Sequence, residues 1–485
     1  MGITFPALLI VADFLLFLAM CRRELLAREI LLTPVVFFGG LEILSVWPAP
    51  FYAYVDGAVQ DGYPALVAGL SFAAFLGGVA ASRYLFRIRP GESRRFLEQP
   101  LLDKQGLRSQ GLGLVALAML LIAVGLLLYQ GLPPQMHLLA EAIRKSQPLN
   151  LVMMDMSAYR FELSKAHLFG GEYRGQGIMR VFLSTGWLFV LCHALVRMAA
   201  ARNSRARRRW VKRMAVLGVV SLLFVSGDGT RAPFIFMMAQ LLAMYSLLMP
   251  LKKSAVAGVA LASFALVVAL SLASHKSSGW MDEQSPIQAG ARAVFERISV
   301  GNGMNNVNVI ELMREGTFKQ MNGEVHRRGL LAALPGTYYS DQPFSNILAE
   351  TMLNRTTTTY LTSTYLGMLY HDFGLLGCIV GYGVIGMALQ GAQHCFFRRP
   401  KRAVALPMGL LVSVSLGMIS FHGWIELLPK FALLACCGFL VRFLGRLRRA
   451  PRGPLVREPP LGPDAGGISN GGTGCATPAA GSLSR

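Results

Sequence analysis

Windows of about 18 to 23 apolar residues recur along nearly the whole chain, and each is long enough as a helix to cross a hydrocarbon core of about 30 Å. The pattern predicts eleven membrane-crossing helices, approximately at residues 3–20, 30–47, 64–86, 111–130, 177–199, 214–226, 232–249, 254–274, 373–392, 403–421 and 428–445. The sixth is short and the ninth has a soft start. Two polar stretches interrupt this rhythm, 131–176 and 275–361. The second is too long for a turn, and in a polytopic membrane protein an insertion of that size holds working parts. Within it, helical periodicity is visible near Ala289–Val300 and Val307–Arg314, followed by turn signals at Pro335, Gly336, Asp341, Gln342 and Pro343. Neither long segment has enough apolar residues for a core of its own, so both are expected to lie as short helices on the membrane domain.

Composition agrees with the pattern: of 485 residues, 53% are hydrophobic and 15% charged, far more apolar than a soluble domain needs. Charge then orients the spans. The N-terminus has no basic segment before its apolar run and carries Arg22 and Arg23 after it, unlike a cleavable signal peptide, so it is expected outside. Eleven alternating spans then place 21–29, 87–110, 197–213, 250–253, 393–402 and the tail from 446 in the cytoplasm; these hold 29 Lys and Arg against 7 acidic residues. The two long outer segments hold 13 against 12, which satisfies the positive-inside rule. The net charge of +21 therefore points to topology and anionic lipid headgroups, with no nucleic-acid partner. None of the seven cysteines falls in the outer segments, so packing alone must hold them. The expected organisation is a membrane domain over 1–449 and a Pro-, Gly- and Ser-rich disordered cytoplasmic tail over 450–485.

Composition also limits the chemistry. No cytoplasmic loop exceeds about 25 residues, whereas a nucleotide-binding domain needs more than about a hundred. A reaction must draw its energy from the substrate or from an ion gradient. Transport, and transfer from an activated lipid, both remain. Arginine recurs on the outer side (Arg160, Arg174, Arg180, Arg231, Arg292, Arg297, Arg327, Arg328, Arg355), and its planar fork of donors suits a pyrophosphate. Ordinary pairing with Glu162, Glu172 or Glu296 is the alternative for any one of them. Arg231 lies in the turn GDGTRAP, Gly227–Pro233, at the membrane boundary, where polar groups are expensive; a plain turn with a snorkelling arginine fits equally. No Asp-x-Asp occurs in either outer segment and no histidine pair has zinc spacing, so neither metal nor cofactor is expected. His371 and Asp372 stand where the long segment meets the ninth span, as a candidate general base; the alternative is a histidine that caps the helix start and bonds to backbone.

These residues carry a resemblance. YLTSTYLGMLYHDFGLLG, Tyr360–Gly377, resembles the segment of Wzy-type O-antigen and oligosaccharide repeat-unit polymerases in which an outer loop re-enters the membrane. GDGTRAP is similar to the family's Gly-Ser-Arg-Gly turn, with Ala232 in place of the second glycine, and LAALPGTYYSDQPFSN to its Leu-Pro…Lys-Pro stretch, with Gln342 in place of the basic residue. Some members carry an Arg followed after ten residues by Gly in each outer loop; here Arg160 precedes Gly171 and Arg292 precedes Gly303. The resemblance implies an all-α polytopic membrane protein of about eleven transmembrane helices, GT-C-like, with two long periplasmic loops, in a bacterial inner membrane. It implies metal-independent polymerisation of undecaprenyl-pyrophosphate-linked oligosaccharide units, in concert with a chain-length regulator. Arg231, Arg160, Arg292 and Arg180 would hold the donor pyrophosphate, His371 or Asp372 would deprotonate the acceptor hydroxyl, and Tyr365 and Tyr370 would stack on sugars. The competing readings are an O-antigen ligase, which passes lipid-linked glycan to lipid A core, and an ion-coupled or polysaccharide transporter.

Overall fold

A computed structural model describes residues 2–26, 33–88, 92–99, 176–201, 203–225, 232–248, 301–333, 363–400, 405–422 and 427–447, with isolated positions between them. Met1–Gly445 form one compact unit; Arg446–Arg485, of which only the first two residues are described, form a second. Among the described residues the regular structure is entirely helical, and in a bilayer this is forced: only a helix satisfies its own backbone donors and acceptors within one segment. Four segments are long and apolar enough to cross a membrane: Thr4–Arg22, Pro34–Val55, Tyr63–Leu85 and Tyr365–Phe397. Thr185–Ala199, Leu406–Gly417 and Lys430–Val441 are shorter apolar helices, while the expected span at 254–274 and half of that at 111–130 lie outside the described residues.

Helix α1 is Thr4–Leu26. The second expected span is longer than the sequence suggests and is broken: α2, Pro34–Ser45, passes through Val46 and Trp47 into α3, Pro48–Val55. Pro48 has no N–H to continue the ladder but is well placed to start a new helix. Helix α4 is Tyr63–Leu85, and α5, Glu92–Glu98, follows. After α6, Gln176–Ala199, the basic run expected in a loop is instead helical. Asn203 Oδ1 accepts from the Ala206 amide at 2.9 Å and caps α7, Ser204–Val225, as a short polar side chain does at a helix start. The short sixth span is thus the apolar half of a longer helix, and the ring of Trp210 near its start attracts the guanidinium groups of Arg197 and Arg213, 5.3 and 4.9 Å from its centroid. Then come α8, Ala232–Leu248, and two helices from the long polar segment, α9, Asn302–Arg314, and α10, Glu324–Ala333. The last four are α11, Tyr365–Phe397, α12, Ala405–Gly417, α13, Ile419–His422, and α14, Leu427–Leu447.

The contact that organises the site is between α4 and α11. Tyr370 and Tyr63 meet through their hydroxyls at 3.3 Å, and Arg83 Nε donates to Gln390 Oε1 at 3.1 Å; both pairs are 307 residues apart, so the two helices run parallel. Between these ends the backbones touch. A Cβ on Gly78 would lie 2.0 Å from the Gly383 carbonyl oxygen, and one on Gly386 would lie 2.2 Å from that of Phe75. Lipid tails are as apolar as side chains, so close backbone packing at small residues is what holds such helices together. Phe38, Phe72, Phe75 and Tyr382 fill the surrounding core, and the Ser420 hydroxyl donates to the buried Glu42 carboxylate, joining α13 to α2. A second cluster collects α6, α8, α12 and α14 around Leu191, Met244, Leu410 and Leu434. On α1, Leu8, Val11, Leu15 and Leu16 are exposed, as a lipid-facing surface requires.

Parallel packing gives this pair two distinct ends. Arg83, Arg87, Arg398, Arg399 and Arg402 gather at one end, where Glu92 meets His394 Nδ1 at 2.6 Å. At the opposite end α9 and α10 pack against α3 and α11, in keeping with the expectation that the long polar segment lies on the membrane domain as short helices.

Candidate functional site

Helix α11 is interrupted near its start. Gly374 has φ 65° and ψ −159°, so Tyr365–Phe373 and the long remainder are two helices joined at a kink. That region of backbone space is open in practice only to glycine. A break of this kind releases carbonyl groups that must find other partners. Here the long polar segment supplies them: the Met321 amide donates to the His371 carbonyl at 3.0 Å and the Asn322 amide to the Asp372 carbonyl at 2.9 Å. Asn322 and Gly323, both at positive φ, turn the chain there into α10.

The Asp372 side chain completes the clasp. It is 0% exposed, and its Oδ1 accepts from the Val325 amide at 2.9 Å. Its Oδ2 accepts from the His326 amide at 3.0 Å and makes a short contact with His326 Nδ1. A carboxylate at a helix N-terminus meets both orphan amides and the positive end of the helix dipole. Asp372 therefore caps α10, a role the sequence reading did not give it, and the cap fastens the outer segment to the broken span. Replacing Gly374 by Ala is expected to cost about 1–3 kcal/mol, because no L-residue adopts this geometry without strain. A lowered melting temperature in detergent checks this, and an unchanged one would mean that the kink relaxes.

Further contacts hold the two helices of the segment. Asn306 Nδ2 donates to Thr364 Oγ1 at 2.7 Å and Asn306 Oδ1 accepts from the Thr364 amide at 2.9 Å, fixing α9 to the start of α11. Gly303 has a packing reason to be glycine: a Cβ would lie 2.6 Å from the Ser45 carbonyl oxygen and from Ala49 Cβ, so α9 sits directly on the α2–α3 break. Arg314 at the end of α9 forms a bidentate pair with Asp61 at 3.0 Å and lies over the Tyr63 ring. Burial raises the Asp61 carboxyl, but the Tyr63 amide and the Arg314 guanidinium outweigh it and hold the group below the usual carboxylate range, since both favour the charged form.

The expected site residues are distributed unevenly. His371 and Asp372 lie together at the break, and the His371 ring packs against Phe318 with centroids 5.2 Å apart. Tyr365 and Tyr370, each 6% exposed, present no open face: Tyr365 packs on Tyr382 and His326, and Tyr370 reaches Tyr63. Arg231, Arg160 and Arg292 lie outside the described residues, and Arg180 is in the first turns of α6. Arg327 and Arg328 both bond to Glu324, a partner the sequence reading did not name, and these bonds hold the pKa of that carboxyl at about 2.

His326 went unrecognised in the sequence. Asn322-Gly323-Glu324 is a legible turn and helix start, and a helix start needs an acceptor. Yet no local signal points to a carboxylate 46 residues away. Together these contacts hold the His326 ring in a fixed orientation against Asp372 at the break.

Comparison with curated proteins and with solved structures returns no match. The family described as "Putative O-antigen polymerase" matches residues 5–419, which include the broken helix, its clasp and both long polar segments. The chain belongs to this O-antigen polymerase family and is a multi-pass membrane protein of polysaccharide biosynthesis.

Proposed function

We propose that the chain joins oligosaccharide repeat units carried on undecaprenyl pyrophosphate, by metal-independent glycosyl transfer at the periplasmic face of a bacterial inner membrane. The observation that carries this reading is the clasp of residues 321–326 on the break in α11. It packs part of a family-matched polar segment onto the break and gathers ionisable side chains there. The end of the α4–α11 pair opposite the arginine-rich one is the periplasmic end. The N-terminus is periplasmic and the C-terminus cytoplasmic.

The donor brings its own leaving group, which suits a chain whose expected cytoplasmic loops are all short. Arg231, Arg160 and Arg292, with Arg180, hold the pyrophosphate and stabilise the charge that develops as it leaves; donors placed for that charge are the largest single source of rate enhancement. The groups at the break, His371, Asp372 and His326, serve the acceptor sugar. Attack of its hydroxyl opposite the leaving group inverts the anomeric carbon. A chain-length regulator would act on this complex from outside the chain.

Purified protein supplied with lipid-linked repeat units should produce a ladder of lengthened products. Movement of the lipid-linked substrate without lengthening would overturn the reading in favour of transport. In cells, loss of the gene product should leave single-unit caps on lipid A core. Polymer stranded on its lipid carrier would identify a ligase instead.

A further inference from the structure

We infer that the polyprenyl carrier of a lipid-linked unit lies along one exposed face of α11, on the membrane side of the break, with Arg327 reaching its pyrophosphate. This rests on the polymerase reading and deepens it. Beyond Gly374 the helix has two unlike faces. Cys378, Tyr382, Ile385 and Leu389 are buried in the core, whereas Leu376, Val380, Val384 and Met387 are exposed, Leu376 by 72%. Phe373 is exposed as well, and steps of three or four residues put all five in one row. At 1.5 Å per residue the row is about 20 Å long, most of the way through a hydrocarbon core of about 30 Å.

The outer end of this row belongs to the clasp. The Phe373 and His326 rings stand 5.8 Å apart between centroids, and a Cβ on Gly323 would lie 3.3 Å from Phe373 Cζ. Arg327 follows Gly323 by one turn, and its amide donates to the Gly323 carbonyl at 2.9 Å, so the two lie on one side of α10. An arginine thus stands over the head of the apolar row. Its side chain is 55% exposed. Arg327 and Arg328 share the carboxylate of Glu324, so two cations there meet one anion.

A long apolar chain that ends in a pyrophosphate has the same layout as this surface. An exposed Arg–Glu pair contributes little, while a pyrophosphate offers the guanidinium fork several charged oxygens at once. The carrier therefore competes well with Glu324 for Arg327. Helix α1 also exposes Leu8, Val11 and Leu15, but it carries neither the break nor the clasp. Ordinary lipid is enough to cover it, which makes it the internal reference.

The full chain in nanodiscs is irradiated with a polyprenyl pyrophosphate that carries a diazirine in its chain, and the labelled residues are mapped by mass spectrometry. Label should concentrate between Phe373 and Met387, and undecaprenyl pyrophosphate should compete it away while phosphatidylglycerol does not. Equal labelling of α1 and α11, or competition by phosphatidylglycerol, would reduce the face to ordinary lipid contact and overturn the inference. Arg327→Ala should raise the half-competing concentration of undecaprenyl pyrophosphate roughly tenfold, as loss of a hydrogen bond to a charged group does. The melting temperature should stay unchanged, and Arg327→Lys should fall between, since it keeps the charge and loses the fork. An Arg327→Ala chain that melts lower and competes as the parent does would assign Arg327 a structural role and remove it from the site. A parent chain that lengthens lipid-linked units without label on this face would overturn the inference and leave the polymerase reading intact. A parent chain that lengthens nothing would remove both.

Discussion

Replacing Asp372 by Ala is expected to detach residues 321–333 from the broken helix and to stop polymerisation. Two amides and one imidazole N–H share this carboxylate, and all three face a site from which water is excluded. A buried donor left without an acceptor costs about 1–3 kcal/mol, and removing one member of a buried pair costs about 3–5 kcal/mol, so a total of roughly 3–5 kcal/mol is expected after allowing for overlap. The loss is local. The α4–α11 interface does not involve Asp372, so the opening exposes α10 before the membrane core gives way. Limited proteolysis should therefore cut between Arg314 and Ala333 in the variant at protease levels that leave the parent intact. Asp372→Asn should fall between the two, because its single oxygen can serve one backbone amide but not both. A variant with parental melting and parental protease resistance would show that the clasp is held elsewhere.

A second expected result concerns two adjacent glycines on α4. A Cβ on Gly78 would meet the Gly383 carbonyl at 2.0 Å, whereas one on Gly77 would meet nothing within 4 Å. Gly77→Ala should be neutral or stabilising by up to about 1 kcal/mol, since Ala is the better helix former. Gly78→Ala, the same chemical change one residue on, should lower stability by more than the roughly 1–3 kcal/mol of ordinary overpacking, because the obstacle is backbone and only separation of the helices relieves it. Melting of the two variants in the same detergent decides the matter, and equal melting temperatures would refute the parallel contact of α4 with α11. Activity should follow stability, since this contact holds the broken segment of α11 in place.

Much of the architecture was legible along the chain. The start of α1 and both ends of α4, α6, α8 and α14 fall within a few residues of the apolar windows, because the bilayer imposes its requirement on each segment separately. Where the boundaries differ, the cause is local chemistry that hydropathy does not weigh. Pro48 restarts a helix beyond the second window, and Asn203 caps one that begins inside a basic run. At the site, position drew attention to His371 and Asp372, and the pairing of Arg292 with Gly303 drew attention to a glycine that proves to be a packing contact. The partner of Asp372 could not be read in this way. Nothing in the residues around His326 distinguishes it from a surface histidine.

The sequence by itself determined that the chain lives in a membrane, where the positive charge collects, and that a long polar segment must rest on helices. These follow from requirements that each stretch meets alone: burying apolar surface, satisfying its own backbone and balancing its own charge. Only the tertiary structure decided that α4 and α11 run parallel with glycines in contact, that α11 breaks at Gly374, and that His326 meets Asp372 across the break. Such pairings depend on two distant segments arriving together, and their free energy belongs to the pair and to neither sequence alone.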